Sequence, residues 1–262
     1  MTKTSYKVIL ADLDGTVNRG EELIPGVEAV YGDLHDRGIK WLFLSNNAAM
    51  SATELALKLR RLGINVSEHQ VINSASALIH TVERNYIGKR FIVVGESSLV
   101  EAIEHARGTI SDDPASVDIV VVALDRTLTY EKLKRAHIAV QKGALLWATN
   151  LDATFPVEGC FHPGAGSIVA AITTAAGRPP DRVFGKPYPD MALLALEMLD
   201  ISASSCLVVG DRMETDILFA RNAGMASALV LTGATSRSDV AKYSYAPGHV
   251  IESIADIAEL FD

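Results

Sequence analysis

The segment KVILADLDGT, residues 7–16, is the part of the sequence that decides the fold. Its first half is a short apolar run, typical of a buried strand in a parallel sheet, and Gly15 permits a sharp turn after it. Because residues two apart on an extended chain point the same way, the side chains of Asp12 and Asp14 should converge on one site. A solvated Asp-Gly turn is the alternative. In open α/β sheets, however, ligands bind beyond the carboxyl ends of the strands, where this pair falls.

Apolar runs of the same kind recur along the chain. They are KWLFLSNN, RFIVVG, DIVVVAL, LLWATN, CLVVGD and SALVLTG. Helical patterns lie between them, at Ser51–Leu62, Asp190–Leu199 and Asp216–Ala223. The first of these should begin with a capping box formed by Ser51 and Glu54. Strands that alternate with helices form parallel βαβ units, so the sequence predicts an α/β fold.

Composition sets broad limits on the protein class. A chain of 262 residues suits one large domain or two modest ones. With 48% apolar and 21% charged residues, it is neither disordered nor collagen-like. The net charge of −8 argues against a nucleic-acid partner, since phosphate backbones attract basic faces. It leaves small phosphorylated ligands open, because a local site can be positive inside an acidic protein.

The cysteines and the apolar runs bear on the compartment. Cys160 and Cys206 have no metal-like spacing, so we expect no zinc site, no disulfide framework and a reducing compartment. We find no run of about 18 apolar residues and no signal-peptide pattern, and we expect a cytoplasmic protein with no membrane partner. Pattern breaks at Ile79–Gly88 and Gly177–Lys186 suggest that a second domain is inserted into the first.

Further polar groups follow later strands or precede a helix. They are Ser45, Asn46 and Asn47 after the second major strand, Lys186 in FGKPYPD, and Asp211 and Asp216 in GDRMETDI. Taken singly, each suits a turn, a solvated charge or a helix cap. Together they supply what phosphoryl transfer through an enzyme carboxylate needs. These are a nucleophile, oxygen ligands for Mg²⁺, and donors that hold phosphate.

The motifs DLDGT, a strand-end Ser, a loop Lys and GDRxxTD, in that order, resemble the four motifs of the haloacid dehalogenase (HAD) superfamily. Asp14 is similar to the second aspartate of its phosphatase branch. The runs SNN, ATNLDATFP, GAGS and GDRMETDI resemble class IIA, the NagD-like and p-nitrophenyl phosphatase-like group. The resemblance implies a Rossmannoid parallel-sheet core with helices on both faces, residues 1–79 and 183–262. It also implies an inserted α/β cap, residues 80–182, that sets substrate specificity.

The resemblance also implies roles for the core residues. Asp12 would be the nucleophile, and Asp14 the general acid that later acts as base. The Asp12 carboxylate, the Asp14 backbone carbonyl and Asp211 would bind Mg²⁺. Asp216 would orient Lys186 or a metal-bound water, and Lys186 would neutralise charge on the phosphate and on the nucleophile.

Phosphate and substrate contacts follow from the same resemblance. Ser45, Asn46 and Asn47 would bind phosphate or substrate; many class IIA members have Thr in place of this Ser. From the cap, Asn150, Asp152 and His162 are candidate substrate contacts, although a lone His such as His162 is more often structural. A homodimer formed through the cap is a further expectation.

The expected function is Mg²⁺-dependent hydrolysis of small phosphomonoesters through an aspartyl-phosphate. Candidate substrates are sugar phosphates, nucleoside monophosphates, phosphoglycolate and glycerol phosphate, with p-nitrophenyl phosphate as an artificial one. A phosphotransferase that uses the same chemistry is the near alternative. A non-catalytic protein that binds a phosphometabolite is another, because fold alone does not prove activity. An NAD-dependent dehydrogenase is disfavoured, because Val169 stands where the third glycine of a dinucleotide fingerprint would be.

Overall fold

The computed structural model describes residues 6–157 and 159–261. Its strands are β1 (Val8–Asp12), β2 (Asn18–Arg19), β3 (Glu22–Leu23), β4 (Lys40–Ser45), β5 (Val71–Asn73), β6 (Arg90–Val94), β7 (Thr109–Ile110), β8 (Ile119–Val122), β9 (Leu145–Ala148), β10 (Thr154–Val157), β11 (Cys160–Pro163), β12 (Arg182–Val183), β13 (Cys206–Gly210), β14 (Ala226–Val230) and β15 (His249–Ile251). Its α-helices are α1 (Val27–Asp36), α2 (Ala52–Arg61), α3 (Ser74–Asn85), α4 (Ser97–His105), α5 (Tyr130–Gln141), α6 (Ala165–Ala176), α7 (Asp190–Leu199) and α8 (Leu218–Asn222).

The chain forms two compact units. Unit 1 comprises the residues up to Ser45, Ala52–Ile72 and the residues from Lys186 on, and unit 2 comprises Asn46–Ser51 and Asn73–Gly185. The boundaries predicted from the sequence, after residues 79 and 182, fall inside α3 and β12, and a division there would cut through a helix and a strand. Helix α3 starts from its cap Asn73, whose side chain accepts a hydrogen bond from the Ser76 amide. The helix therefore lies whole in unit 2.

Unit 1 is built on a six-stranded sheet with the order β15-β14-β13-β1-β4-β5. Strand β1 pairs in parallel with β13 on one side and β4 on the other. Its first four residues, Val8–Ala11, are almost fully buried, as expected of a central parallel strand covered on both faces. Because β4, β1 and β13 run the same way, their carboxyl ends meet at one edge of the sheet.

Unit 2 has a parallel sheet of its own, in the order β12-β9-β8-β6-β7, and an antiparallel hairpin of β10 and β11. Aliphatic side chains from its central strands and from α5 and α6 form its core. All seven apolar runs noted in the sequence are strands of the two parallel sheets, which are flanked by helices. The predicted α/β class is confirmed. Within residues 6–157 and 159–261, none of the helices combines the length and the hydropathy that crossing a bilayer requires.

Candidate active site

Three neighbouring strands of unit 1 place polar side chains at the same edge of the sheet. Asp12 is the last residue of β1 and lies opposite Leu44 in the register with β4. Ser45 ends β4, and Asp211 directly follows the last residue of β13. The sequence predicted this convergence from the strand ends, and the parallel register produces it.

The Lys186 ammonium joins two of the carboxylates. It is only 4% exposed, and it donates hydrogen bonds to Asp12 and, at 2.5 Å, to Oδ1 of Asp216. The other Asp216 oxygen, Oδ2, accepts from the Arg212 amide at 3.0 Å. Buried charges are tolerated when they are paired and hydrogen-bonded. Asp216 therefore serves as a fixed acceptor that holds Lys186 against Asp12.

The local backbone explains how Asp216 reaches this position. The sequence predicts a helix at Asp216–Ala223, whereas one turn of π-helix spans Met213–Ile217 and α8 follows it. The Ile217 amide donates to the Arg212 carbonyl at 3.2 Å, which is the wide spacing of a π-turn. The observed helix thus starts three residues earlier than predicted. Gly210 completes the arrangement, because a Cβ there would overlap the Asp216 carboxylate.

Asp211 lies in a narrow slot. Its Oδ2 accepts a hydrogen bond from the Ala234 amide at 2.6 Å. Its Oδ1 is buried and has no hydrogen-bond partner within residues 6–157 and 159–261. A Cβ on Gly233 would overlap this carboxylate, and one on Gly15 would come within 2.6 Å of Oδ2. Gly15 and Gly233 thus allow the backbone to pack directly against the Asp211 carboxylate, which has one oxygen without a hydrogen-bond partner among the described residues.

Asp211 belongs to a cluster of carboxylates. Oxygens of Asp12, Asp211 and Asp216 lie within 4.8 Å of one another. Three carboxylates face a single ammonium here, which leaves an excess of negative charge. Hard divalent cations prefer such an all-oxygen set, and a buried oxygen without a partner is where a ligand bond can form. The residues present therefore fit a divalent cation.

The pKa values reflect the same crowding. Burial, together with Asp216 and Asp211, raises the pKa of Asp12 well above its ordinary value, against the opposing effect of Lys186. Burial and the Asp216 charge raise the pKa of Asp211 to about 6. Burial alone would lower the pKa of Lys186, but Asp12 and Asp216 outweigh it and raise that pKa. The lysine therefore stays protonated. Its single positive charge does not neutralise all three carboxylates.

Two family models match the sequence. That of the haloacid dehalogenase-like hydrolases covers residues 9–108, and the HAD-hydrolase-like model covers residues 183–257. The acid sugar phosphatase of Staphylococcus saprophyticus is 34% identical over 97% of this chain and 97% of that protein. Sugar-phosphatase AraL of Bacillus subtilis is 36% identical over 99% of this chain and 94% of its own. The 4-nitrophenylphosphatase structure of Thermotoga maritima matches with a TM-score of 0.90 and 32% identity, over 97% of each chain.

The chain belongs to the haloacid dehalogenase-like hydrolases.

Within the HAD hydrolases, it is a member of class IIA, the group of NagD and the p-nitrophenyl phosphatases. The match to named phosphatases spans nearly the whole chain, so this HAD hydrolase is an enzyme, a phosphoric monoester hydrolase. Its relatives are named as sugar phosphatases and as a 4-nitrophenylphosphatase, so they act on small phosphorylated compounds. The family and the enzyme class predicted from the motifs are both confirmed.

The structure of this HAD hydrolase places Asp14 just beyond the end of β1, with an exposed side chain. Its Oδ1 accepts a hydrogen bond from Nδ2 of Asn18 at 2.9 Å. Asp14 and Asn18 also form an isolated bridge of backbone hydrogen bonds. The sequence singled out Asp14 but not Asn18, because a polar residue in an expected turn gives no distinctive signal.

The remaining predicted residues lie in unit 2 of the HAD hydrolase. Nδ2 of Asn46 donates to Oδ2 of Asp152 at 3.1 Å, and Nδ2 of Asn150 donates to the Asn46 carbonyl at 2.8 Å. A Cβ on Gly185 would come within 2.8 Å of the Asn46 and Asn150 side chains, which accounts for the glycine before Lys186. Hydrogen bonds thus bring together Asn46, Asn150 and Asp152. The sequence did not predict these contacts.

The contacts of two other candidates are local. Oδ1 of Asn47 accepts a hydrogen bond from the Ala49 amide at 2.9 Å, which forms a local turn. His162 is exposed on β11, and its ring packs edge-on against Phe155 with the ring centroids 5.8 Å apart. Their roles in substrate binding stay predictions.

Proposed function

We propose that this HAD hydrolase is a Mg²⁺-dependent phosphatase of small phosphomonoesters that works through an aspartyl-phosphate on Asp12. The observation that carries the proposal is the Lys186 ammonium held between Asp12 and Asp216, in a carboxylate cluster that also includes Asp211 with its unpaired oxygen. A carboxylate paired with a fixed ammonium is held in place to attack an anion. A structural ion pair alone would not need a third carboxylate with a buried free oxygen.

In the first step, a carboxylate oxygen of Asp12 attacks the phosphorus of the ester. The new bond joins this oxygen to phosphorus as the bond from phosphorus to the ester oxygen breaks. Asp14 gives its proton to the departing oxygen, so the leaving group is a neutral alcohol. Lys186 offsets negative charge on Asp12 and on the phosphoryl oxygens. Ser45, Asn46 and Asn47 are the proposed donors that hold those oxygens.

In the second step, Asp14, now a carboxylate, takes a proton from water as that water attacks phosphorus. The bond from phosphorus to the Asp12 oxygen breaks. This releases inorganic phosphate, regenerates the Asp12 carboxylate and leaves Asp14 protonated for the next turnover. The exposed position of Asp14 suits both transfers, since it serves a leaving group and then a water.

The Asp12 carboxylate, the Asp14 backbone carbonyl and Asp211 would hold the Mg²⁺. When bound, the ion cancels repulsion between the carboxylate nucleophile and the anionic substrate. Asp216 makes its contribution through Lys186, because both of its oxygens already accept hydrogen bonds from protein donors.

Sugar phosphates are the first substrates to test, because both curated relatives described above are named as sugar phosphatases. Nucleoside monophosphates, phosphoglycolate and glycerol phosphate are the other proposed physiological esters. Asn150, Asp152 and His162 are the residues proposed to choose among them. The cytoplasmic setting and the homodimer formed through the cap stay predictions.

The test is phosphate release from a panel of these esters and p-nitrophenyl phosphate, with and without Mg²⁺. Asp12→Asn should abolish release while the protein keeps its fold, which circular dichroism would check. Asp33→Asn, which changes an exposed carboxylate on α1, is the matched control and should keep full activity. Full activity of Asp12→Asn would overturn the nucleophile assignment. Release of the alcohol without phosphate, in the presence of an added alcohol, would indicate a phosphotransferase instead.

A further inference from the structure

Asn18 holds the carboxyl group of Asp14. It is the first residue of β2 and is only 1% exposed, although its side chain is polar. Both hydrogens of its side-chain amide are used. Nδ2 donates to Oδ1 of Asp14 at 2.9 Å and to the Gly20 carbonyl at 3.0 Å. The amide thus ties the Asp14 side chain to a buried anchor.

The orientation of the Asn18 amide follows from the chemistry of its neighbours. An ionised carboxylate and a backbone carbonyl only accept hydrogen bonds, so the NH₂ group has to face them. The opposite orientation would turn the Asn18 oxygen toward two other oxygens.

The backbone of Asn18 is fixed as well. Its amide donates to the Leu13 carbonyl at 3.0 Å, and its carbonyl accepts from the Gly15 amide at 2.7 Å. These two bonds close the loop that carries Asp14. The Asn18 side chain therefore extends from a rigid position.

We propose that Asn18 is a positioning residue that fixes the Asp14 carboxyl group for proton transfer. The proposal rests on the role of Asp14 as general acid and base put forward above. Because Oδ1 accepts the Asn18 amide, the proton of the acid form sits on Oδ2, which has no hydrogen-bond partner among the described residues. An exposed carboxyl without this bond would sample several rotamers, and proton transfer depends on alignment.

Esters whose leaving groups differ in their need for a proton can distinguish a positioning role of Asn18 from a purely structural one. p-Nitrophenolate departs readily without a proton, whereas the alkoxide of glycerol phosphate needs one. The ratio kcat/KM covers the steps up to loss of the leaving group, so it isolates the acid step from the later base step. A misplaced acid should therefore lower kcat/KM for the alkyl ester much more than for the aryl ester.

The experiment measures kcat/KM on both esters for wild type, Asn18→Leu, Asp14→Ala and the double variant. We expect Asn18→Leu to lower kcat/KM about 10- to 100-fold on glycerol phosphate, and less than about 3-fold on p-nitrophenyl phosphate. In the Asp14→Ala background, Asn18→Leu should cause no further loss. Asn18→Ala removes the donor without adding a charge beside Asp14. It serves as the second variant if Asn18→Leu does not fold, and it should show the same selective loss.

Four outcomes would overturn the proposal. Equal losses on both esters, or losses that multiply in the double variant, would give Asn18 a structural role while leaving Asp14 as the acid. Wild-type kcat/KM of folded Asn18→Leu on glycerol phosphate would show that the hydrogen bond is dispensable. Full activity of Asp14→Ala on glycerol phosphate would instead refute the proposed role of Asp14 itself, so the two failures are distinguishable.

Discussion

Replacing Asp211 with Asn should stabilise the metal-free protein at neutral pH while it removes activity. The carboxylate is 3% exposed and lies among other carboxylates. Burial raises its pKa from 3.8 to about 6. At about 1.4 kcal/mol for each pH unit, that rise corresponds to about 3 kcal/mol in the free energy of unfolding. The side-chain oxygen of Asn can still accept the hydrogen bond from the Ala234 amide.

The sign of the effect depends on pH. Because its pKa is raised in the folded state, Asp211 stabilises the fold fully below its unfolded pKa near 3.8, and this contribution is lost as pH rises through about 6. An Asn side chain is uncharged at every pH. The variant should therefore gain up to about 3 kcal/mol near pH 7.5 and much less near pH 4.5.

The assay is urea denaturation in the presence of a chelator at the two pH values, with Asp33→Asn as the control. That exposed substitution should change the unfolding free energy by less than about 0.5 kcal/mol at either pH. In saturating Mg²⁺ the wild type should have a higher free energy of unfolding than Asp211→Asn, because a cation that binds the native state stabilises the wild type. An equal gain at both pH values, or no gain near pH 7.5, would refute the electrostatic account of Asp211.

Three other predictions test the remaining parts of the site. Lys186→Met should lower kcat by at least about 1,000-fold, which activity assays would measure. It should also destabilise the fold by about 3 to 5 kcal/mol in denaturation experiments, because the two carboxylates that the lysine bridges lose their partner. Gly233→Ala should raise the Mg²⁺ concentration needed for half-maximal activity at least about 10-fold by displacing Asp211, whereas Gly32→Ala, in open space on α1, should leave the titration unchanged. Substitutions across Asn150–Phe155 should change the ranking of substrates more than the rate on p-nitrophenyl phosphate, and equal losses on all esters would place specificity elsewhere.

Strand ends were the part of the site that the sequence predicted best. Asp12, Ser45 and Asp211 each follow an apolar run, and parallel pairing brings such ends to one edge of a sheet. Lys186 follows no such rule, since it lies 174 residues after Asp12. Its role was inferred from the family resemblance. From the sequence pattern alone, Lys186 was indistinguishable from an ordinary solvent-exposed lysine before a helix.

The contacts around the carboxylates were not predictable, because they arise from tertiary packing. Gly233 and Ala234 follow β14, and only the pairing of β14 with β13 brings them to Asp211. A glycine a few residues beyond a strand end is the signal that could have drawn attention to this loop. Asn18 gave no signal, because its importance lies in which carboxylate its side chain meets.

The sheet of unit 1 also sets the order in which the protein can be built during synthesis. Strand β1 pairs on one side with β13, which is made about 200 residues later. At about 5 to 20 residues per second, the ribosome needs on the order of 10 to 40 s to reach it. Until then, the β1 edge that will meet β13 is open to wrong partners. The continuous segment Asn73–Gly185, by contrast, emerges whole within this interval and has a core of its own. The catalytic sheet is therefore the last part of the enzyme to close, and the first place where slow or interrupted translation would lead to aggregation.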